Sequence, residues 1–337
     1  MIRPGANVRL PPVVGLCARA FVLGLLAASP ALAAPAAPRT SPAPLAPSGA
    51  PARIVAQYDP VAFAIGAAGI DAWIARSARI VTRYYGSFTA PLLRLRIVAV
   101  DGGGVRNGKA YPGPGSGIEI HLGRDVTDAA LSADWVLVHE MIHLALPELE
   151  DSHAWLSEGL ATYVEGMARV GAGNMSAEEL WLEYARQMPK GEPGVGDRGL
   201  DHTPTWARTY WGGALFCLNA DVAIREATGN RRGLRDALRA ILRASGGMRT
   251  AWPIERVFAA GDRATGTDVL MRRYAAERDR PVVTDLAALW ERLGVRRVDG
   301  AVVLDDGAPL AATRVALTAP AAGEDPLPPL LESIATR

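Results

Sequence analysis

Hydrophobic and polar positions follow two different periods along the chain, and the change of period separates two regions. Residues 92–100 and 118–122 alternate apolar with polar side chains, which is typical of half-buried strands. The glycine- and proline-rich stretch between them, 102–117, predicts a loop. Before them, residues 70–85 have the apolar spacing of an amphipathic helix. The pattern therefore predicts a small mixed or antiparallel sheet with a helix ahead of it, in a lobe that ends at about residue 126.

From Thr127 onward the apolar spacing is helical, which predicts a mainly helical lobe up to residue 294 and hence an α+β protein. Beyond the two motif helices discussed below, this lobe contains predicted helices at 176–187, 206–227, 234–244, 254–260, 268–278 and 286–293. Residues 189–205 are rich in glycine and proline and predict a long loop. After residue 294 only the run 301–304 resembles a strand, so 295–337 is expected to be a weakly ordered tail.

The amino terminus has the pattern of an export signal. Arg3 and Arg9 precede an apolar region at about 13–28, and an Ala-Leu-Ala sequence follows it at the position of a cleavage site. We therefore predict a signal peptide over 1–33 and a protein that is exported to a bacterial periplasm or secreted. An uncleaved membrane anchor is the alternative, although Arg19 interrupts the apolar run and leaves it short for a span. No stable membrane insertion is expected after cleavage.

Composition narrows the function without assigning it. The Ala/Pro-rich residues 34–52 predict a disordered linker, which leaves 53–294 as the main domain. The net charge of +1 offers no basic surface for nucleic acid, so no nucleic-acid partner is expected. Once the leader is removed only Cys217 remains, which excludes an intrachain disulfide. Its apolar helical surroundings predict a small buried hydrophobe.

The most informative chemical pattern is His139-Glu140, followed by His143 four residues after the first histidine. Residues four apart lie on one face of a helix, so both imidazoles can bind one metal ion. The flanking residues are apolar nearly all round, which predicts a buried helix where unpaired polar groups are costly. Metal binding would satisfy both rings. The alternative is a pair of ordinary core histidines bonded to backbone carbonyls.

Glu158 is the candidate for a third ligand. Pro147 is expected to end the first helix, and Asp151 or Ser152 to cap a second that folds back against it. Glu158 would then lie in an early turn, where the alternative role is an exposed acid favoured by the helix dipole. Two imidazoles and one carboxylate leave a coordination position open, as in catalytic zinc sites. Glu140 can reach a water at that position, so we predict one Zn²⁺ per chain.

These motifs, H-E-x-x-H followed by the sequence W-L-S-E-G-L-A-T-Y-V-E at 155–165, resemble those of the gluzincin clan of zinc metallopeptidases. They are most similar to its compact peptidase MA-like and M61-like members. The resemblance implies a zincin architecture, like the thermolysin catalytic domain, for residues 53–294. It also implies that His139, His143 and Glu158 bind zinc, that Glu140 is the general base, and that the substrate is a peptide or protein.

A third segment, 209–215, resembles the Y-x-x-G-A segment of M1- and M61-like peptidases, which implies that Tyr210 stabilises the tetrahedral intermediate. A core aromatic with a bonded hydroxyl is the alternative for Tyr210. No G-A-M-E-N-type segment is present, and its nearest counterpart contains Glu119, which fits an exposed strand residue better. The choice between endopeptidase and aminopeptidase therefore stays open, as does the oligomeric state.

Several side chains near the motifs have weaker assignments. Thr162 and Asp221 are candidates to orient the histidine rings. His153 lies between the motifs and competes with Glu158 as a ligand, but its place in a loop favours Glu158. His202 is expected to be a solvated loop histidine. A catalytically inactive relative that binds peptides or acts as an envelope scaffold is the alternative function, although the intact motif residues argue against it.

Overall fold

The computed structural model describes residues 51–113, 116–320 and 326–335. The predicted signal peptide and nearly all of the predicted linker lie outside the described residues and stay predictions. The described residues combine α and β structure, which confirms the mixed fold class. Seven strands are β1 Arg53–Tyr58, β2 Leu92–Val100, β3 Val105–Tyr111, β4 Ser116–Gly123, β5 Val295–Val298, β6 Ala301–Leu304 and β7 Leu330–Ala335.

The main sheet has five strands in the order β3-β4-β2-β1-β7. Strands β4, β2, β1 and β7 pair in parallel, and β3 pairs antiparallel with β4. The sheet is therefore mixed, as predicted, but larger and mainly parallel. The alternation read from β2 is confirmed, since Leu93, Leu95 and Ile97 are buried while Arg94 and Arg96 are exposed. Strands β5 and β6 form a separate antiparallel pair.

Strand β3 corrects the prediction of a loop between the two recognised strands. Its outward positions carry polar side chains, Arg106, Asn107 and Lys109, as expected for an edge strand with one solvated side. Gly108 is buried in the middle of it. A glycine inside a strand often marks a close approach of another group rather than a turn. The glycine content of residues 102–117 therefore predicted a loop where the chain forms strand β3.

The helices agree with the predicted ones to within a few residues at most ends. Their bounds are α1 Gly66–Tyr85, α2 Asp128–Ala133, α3 Val136–His143, α4 Ala154–Gly171, α5 Ala177–Gln187, α6 Gly213–Thr228, α7 Leu234–Ser245, α8 Ile254–Thr265, α9 Val269–Glu277, α10 Leu286–Leu293 and α11 Ala311–Thr318. Ser176 and Glu179 form a capping box at the start of α5. The short helix α2, capped by Thr127, was not predicted as a separate element.

The part of the chain after residue 294 contains regular structure where little was expected. Strands β5 and β6 and helix α11 follow one another, and β7 then joins the main sheet beside β1. Arg314 of α11 is buried and donates hydrogen bonds to the backbone oxygens of Leu293, Gly294 and Asp305. The strand β7 has no buried side chain, so its own hydrophobic pattern gives no strand signal.

Helix α3 lies at the centre of this arrangement. It packs against β3 and β4 of the sheet, against α1, and against α4, which in turn packs on α6. The helix that carries the two histidines thus lies directly against the sheet. No helix of the described part is both long and apolar enough to span a bilayer. The predicted domain boundaries at 53, 126 and 294 stay predictions.

Candidate metal centre

Asp134 fixes the start of the motif helix α3. Its carboxylate accepts hydrogen bonds from the backbone N–H groups of Val136 (3.1 Å) and Leu137 (3.2 Å), and from the indole N–H of Trp73 (3.0 Å). Burial raises the pKa of Asp134, although these hydrogen bonds act in the opposite direction. All residues of α3 after the first are buried, as the apolar flanks predicted. The polar side chains of this helix therefore need partners within the fold.

Helix α4 starts differently from the prediction. A 3-10 turn at Asp151–His153 precedes it, and the residue at the helix boundary is His153, which makes no capping hydrogen bond. The helix is positioned by packing instead. A Cβ added at Gly159 would lie 2.3 Å from the backbone of Gly213 in α6, so the two helices cross at closest approach there. This crossing holds the first turns of α4 against α3.

Three donor atoms converge where α3 and α4 meet. Oε2 of Glu158 lies 3.3 Å from Nε2 of His139 and 3.4 Å from Nε2 of His143. One donor atom from each of these three residues lies within 4.8 Å of the others, and in the described part of the chain this is the sole such cluster. Ligands held tetrahedrally by zinc at its usual bond lengths stand about 3.3–3.5 Å apart. The two distances from Glu158 match this spacing, and the three donor atoms are close enough together to bind one ion.

The pKa shifts in the triad favour a positive charge beside Glu158. Burial lowers the pKa of His143, but the charge and hydrogen bond of Glu158, with a further contribution from Glu140, raise it to about 9. Burial raises the pKa of Glu158, but the two imidazoles beside it outweigh this and hold it well below its usual range. Two buried imidazoles and a half-buried carboxylate converge here, and a cation between them would satisfy all three.

The orientation of the His143 ring comes from a neighbour other than those predicted. Ser157 Oγ lies 3.1 Å from Nδ1 of His143 and holds that ring with Nε2 towards Glu158. Thr162 instead donates to the backbone oxygen of Glu158. Asp221 pairs with Arg225 and accepts a hydrogen bond from the hydroxyl of Tyr163. The predictions that Thr162 and Asp221 orient the histidine rings were therefore wrong. The position of Ser157 directly before Glu158 was the available signal.

Glu140 is buried beside strand β3. A Cβ added at Gly108 would lie 2.6 Å from Cγ and 3.0 Å from Oε1 of Glu140, so the carboxylate side chain rests directly on the strand backbone. Glu140 follows a predicted ligand in the sequence and also contributes to the charge felt by His143. The structure therefore places a carboxylate next to the triad, on the side of the sheet edge.

Tyr210 also reaches the triad. It lies in a π-helical segment, Arg208–Gly212, immediately before α6, and such segments are frequent at functional sites. Its ring stacks on His139 at 6.4 Å between centroids and 20° between planes. Tyr210 is half-buried rather than a fully enclosed core aromatic. The structure thus brings Tyr210 beside a triad member, and the role of its hydroxyl stays a prediction.

The other candidate side chains lie elsewhere. His153 contacts the hydroxyl of Tyr274 (3.2 Å) rather than the triad, which supports the preference for Glu158 as third ligand. His202 is exposed and pairs with Asp279, as expected for a loop histidine. Glu119 lies half-buried in β4, where it pairs with an arginine of the next strand. Cys217 is buried and free, as predicted.

No family model matches the chain, and no curated protein matches it. Among solved structures, a two-domain M1 zinc metallopeptidase mutant bound to L-tryptophan is similar at a TM-score of 0.42 and 14% identity. An M1 zinc metallopeptidase mutant from Deinococcus radiodurans is similar at a TM-score of 0.40 and 15% identity. Each match covers 62% of this chain and 44% of the other, so this chain spans less than half of those proteins. Likeness this loose carries no weight in assigning the site.

Proposed function

We propose that this chain is an exported zinc-dependent peptidase of the gluzincin type, with one zinc ion held by His139, His143 and Glu158. The observation that carries the proposal is the convergence of two Nε2 atoms and one carboxylate oxygen at 3.3 and 3.4 Å, on two helices that pack directly together. This donor set, two imidazoles and one carboxylate, is that of catalytic rather than structural zinc, because it leaves a position for water or substrate.

A zinc ion in this triad would lower the pKa of a water molecule towards neutrality and polarise a carbonyl group. The chain itself supplies the proton transfers. The carboxylate of Glu140 lies beside the triad and against the edge strand β3, so it would accept a proton from a water at the triad and deliver it to the leaving amine. The hydroxyl of Tyr210 would donate a hydrogen bond to the oxyanion, and a preorganised donor of this kind contributes about 3 kcal/mol.

The edge strand β3 supports a peptide as the substrate. It ends the sheet, so one side of its backbone has no strand partner in the described part of the chain. An extended peptide can pair with such an edge through main-chain hydrogen bonds. Because Gly108 of this strand touches Glu140, a peptide lying along β3 would pass the proposed base. The endopeptidase or aminopeptidase choice follows from where cleavage falls in such a peptide.

The test joins metal analysis with activity. Purified protein is expected to contain about one zinc per chain and to cleave members of a peptide library, with cleavage positions read by mass spectrometry and activity abolished by a chelator. The variant Glu140→Gln should keep its zinc and lose turnover. Glu178→Gln, at an exposed position in the first turn of α5, is the matched control and should stay active.

Each contrary outcome has a distinct meaning. Protein without stoichiometric zinc would overturn the metal site. Protein with zinc that cleaves nothing in the library would favour the inactive peptide-binding alternative. Full activity in Glu140→Gln would show that the proton transfers are assigned to the wrong residue.

A further inference from the structure

The tryptophans of this chain divide sharply by exposure. All eight lie within the described residues, and six of them are buried or half-buried: Trp73, Trp155, Trp181, Trp211, Trp252 and Trp290. The remaining two, Trp206 and Trp135, are 59% and 41% exposed. Both of the exposed indoles lie beside the candidate metal centre. Exposed apolar groups that cluster at one place often mark a binding site, so the placement of both indoles beside the same centre calls for an explanation.

Both indoles connect to the same imidazole. Trp135 immediately precedes α3, and its ring meets His139 edge to face at 5.6 Å and 82°. Trp206 stacks on Tyr210 at 5.8 Å and 27°, and Tyr210 stacks on His139 at 6.4 Å and 20°. His139 thus has one exposed indole in direct contact and the other one ring further away. The aromatic surface and the proposed zinc ligand form one continuous group.

The geometry suits a flat apolar side chain. Trp206, Tyr210 and His139 form a run of nearly parallel rings, with Trp206 at its solvent end. One face of Trp206 is covered by Tyr210, so its large exposed fraction leaves another surface for an incoming ring. Indole side chains offer rigid contact area at low entropic cost, and offset-stacked aromatic pairs are favourable beyond the area they bury.

We propose that Trp135 and Trp206 form a subsite that binds an aromatic or large apolar side chain of the substrate, at or next to the bond that is cleaved. This inference rests on the proposed peptidase function and specifies its substrate class. A small side chain leaves both indoles in water, whereas an aromatic one removes apolar surface from water on both partners. Peptides with Phe, Tyr, Trp or Leu near the cleaved bond are therefore preferred over those with Gly, Ala or Ser.

The first test uses pairs of peptides that differ only by Phe or Ala at the position next to the cleavage point. The measured quantity is the ratio of kcat/KM for the two peptides. The parent protein should favour Phe, and Trp206→Ala should lower this ratio by about tenfold, as for the loss of one stacked aromatic contact. Trp135→Ala should lower it in the same direction. Trp206→Phe keeps an aromatic ring and should largely retain the preference.

A matched control is Trp290→Phe, which changes a half-buried tryptophan that packs against Trp181 in another part of the chain. It should leave the Phe-to-Ala ratio unchanged. Folding of each variant is checked by its melting temperature. A ratio near one in the parent, or a ratio that Trp206→Ala and Trp135→Ala both leave intact, overturns the subsite while the peptidase function stands.

A binding experiment separates this inference from the proposed function. Zinc-loaded Glu140→Gln protein is titrated with the same Phe and Ala peptides, and acrylamide quenching reports on the exposed indoles. Tighter binding of the Phe peptide with protection from quenching, but no cleavage by the parent protein, would sustain the subsite and reject the peptidase. Binding of an N-acetylglucosamine oligomer that is lost in Trp206→Ala, without any preference among peptides, would assign the surface to sugars and overturn the proposal.

Discussion

A proton and the proposed metal ion would compete for the same place between His139, His143 and Glu158. Nε2 of His143 lies 3.4 Å from Glu158, and the carboxylate raises the pKa of that imidazole to about 9, so a proton occupies the gap when no metal is bound. Metal binding at such a site releases that proton. Ser157 keeps the other nitrogen of the ring occupied and therefore fixes which nitrogen faces the gap. The atoms that make these hydrogen bonds are therefore the same atoms that would bind a cation.

Gly108 gives a sharp test of how Glu140 is held. In Gly108→Ala, the new Cβ would lie 2.6 Å from Cγ of Glu140, so the carboxylate or the strand must move. Displacing a catalytic group by about 1 Å can lower activity on the order of 100-fold. We expect kcat to fall by that order while the zinc content stays at the parent level, measured by steady-state kinetics and metal analysis.

The matched control for this change is Gly117→Ala in the neighbouring strand β4, where the nearest atoms to a new Cβ are 3.9 Å away. That variant should behave like the parent. Parent-like kcat in Gly108→Ala would show that Glu140 adjusts freely and that the strand does not position it.

Glu165, at the end of the 155–165 motif in α4, provides a pH-dependent test of stability. Burial raises the pKa of Glu165 to about 7, although the charge of Arg169, 2.8 Å away, acts in the opposite direction. A carboxyl group with a raised pKa in the folded state contributes stability below its ordinary value of 4.5 and loses it as the pH rises through about 7. We expect the free energy of unfolding to fall across this range by up to about 3 kcal/mol from this group alone.

The measurement is urea unfolding of metal-free protein at several pH values between 4.5 and 8. In Glu165→Gln the side chain can still accept the arginine hydrogen bond but no longer titrates, so the decline between the two ends should become shallower. Glu178→Gln, at an exposed position, should keep the parent profile. Equal slopes for Glu165→Gln and the parent would mean that Glu165 does not titrate in this range.

At the scale of whole elements, the two motif helices could be predicted because their own sequences carry the signal. The apolar flanks of His139 and His143 specify a buried helix, and the spacing to Glu158 suggests a second helix that folds back. Strand β3 could not be predicted in this way. Gly108 is required by its contact with Glu140 of α3, and the residues beside it in the sequence are polar. The exposed tryptophans beside the site were likewise unpredictable, because stacking on His139 requires the fold.

The start of helix α3 depends on one buried carboxylate. In Asp134→Ala, two backbone N–H groups and the indole of Trp73 lose their acceptor. Loss of a helix cap together with buried unsatisfied donors costs about 1–3 kcal/mol. We expect a destabilisation of this size in urea unfolding and a weaker affinity for zinc, because α3 carries two of the three proposed ligands.

Asp128→Ala is a suitable comparison, because Asp128 lies in the first turn of α2 at an exposed position. It should cost only a few tenths of a kcal/mol. An Asp134→Ala protein with parent-like stability would show that water replaces the carboxylate at the start of α3 without loss.

For the molecule as a whole, the two edges of the main sheet have different neighbours. Strand β3 at one edge carries the glycine that touches Glu140, while β7 at the other edge pairs with β1. Three strands separate them. The β7 edge is fastened by a shared acceptor, since Asp71 receives hydrogen bonds from Tyr58 of β1 and Ser333 of β7. Stability and catalysis should therefore respond separately to changes at the two edges.

Ending the chain at residue 320 tests this separation, because it removes β7 and leaves β1 paired on one side only, with β2. The core side of β1 stays covered, since Ile54 and Ala56 are buried in the main cluster, so the shortened protein should still fold. Loss of several ladder hydrogen bonds should lower the melting temperature by about 5–10 °C. Zinc content and kcat/KM at 25 °C should stay within about twofold of the parent, because three strands lie between the two edges.

Ser333→Ala, which removes only one hydrogen bond to Asp71, should shift the melting temperature much less. Loss of zinc from the folded truncated protein would contradict the independence of the two edges and would couple the last strand of the chain to the metal centre.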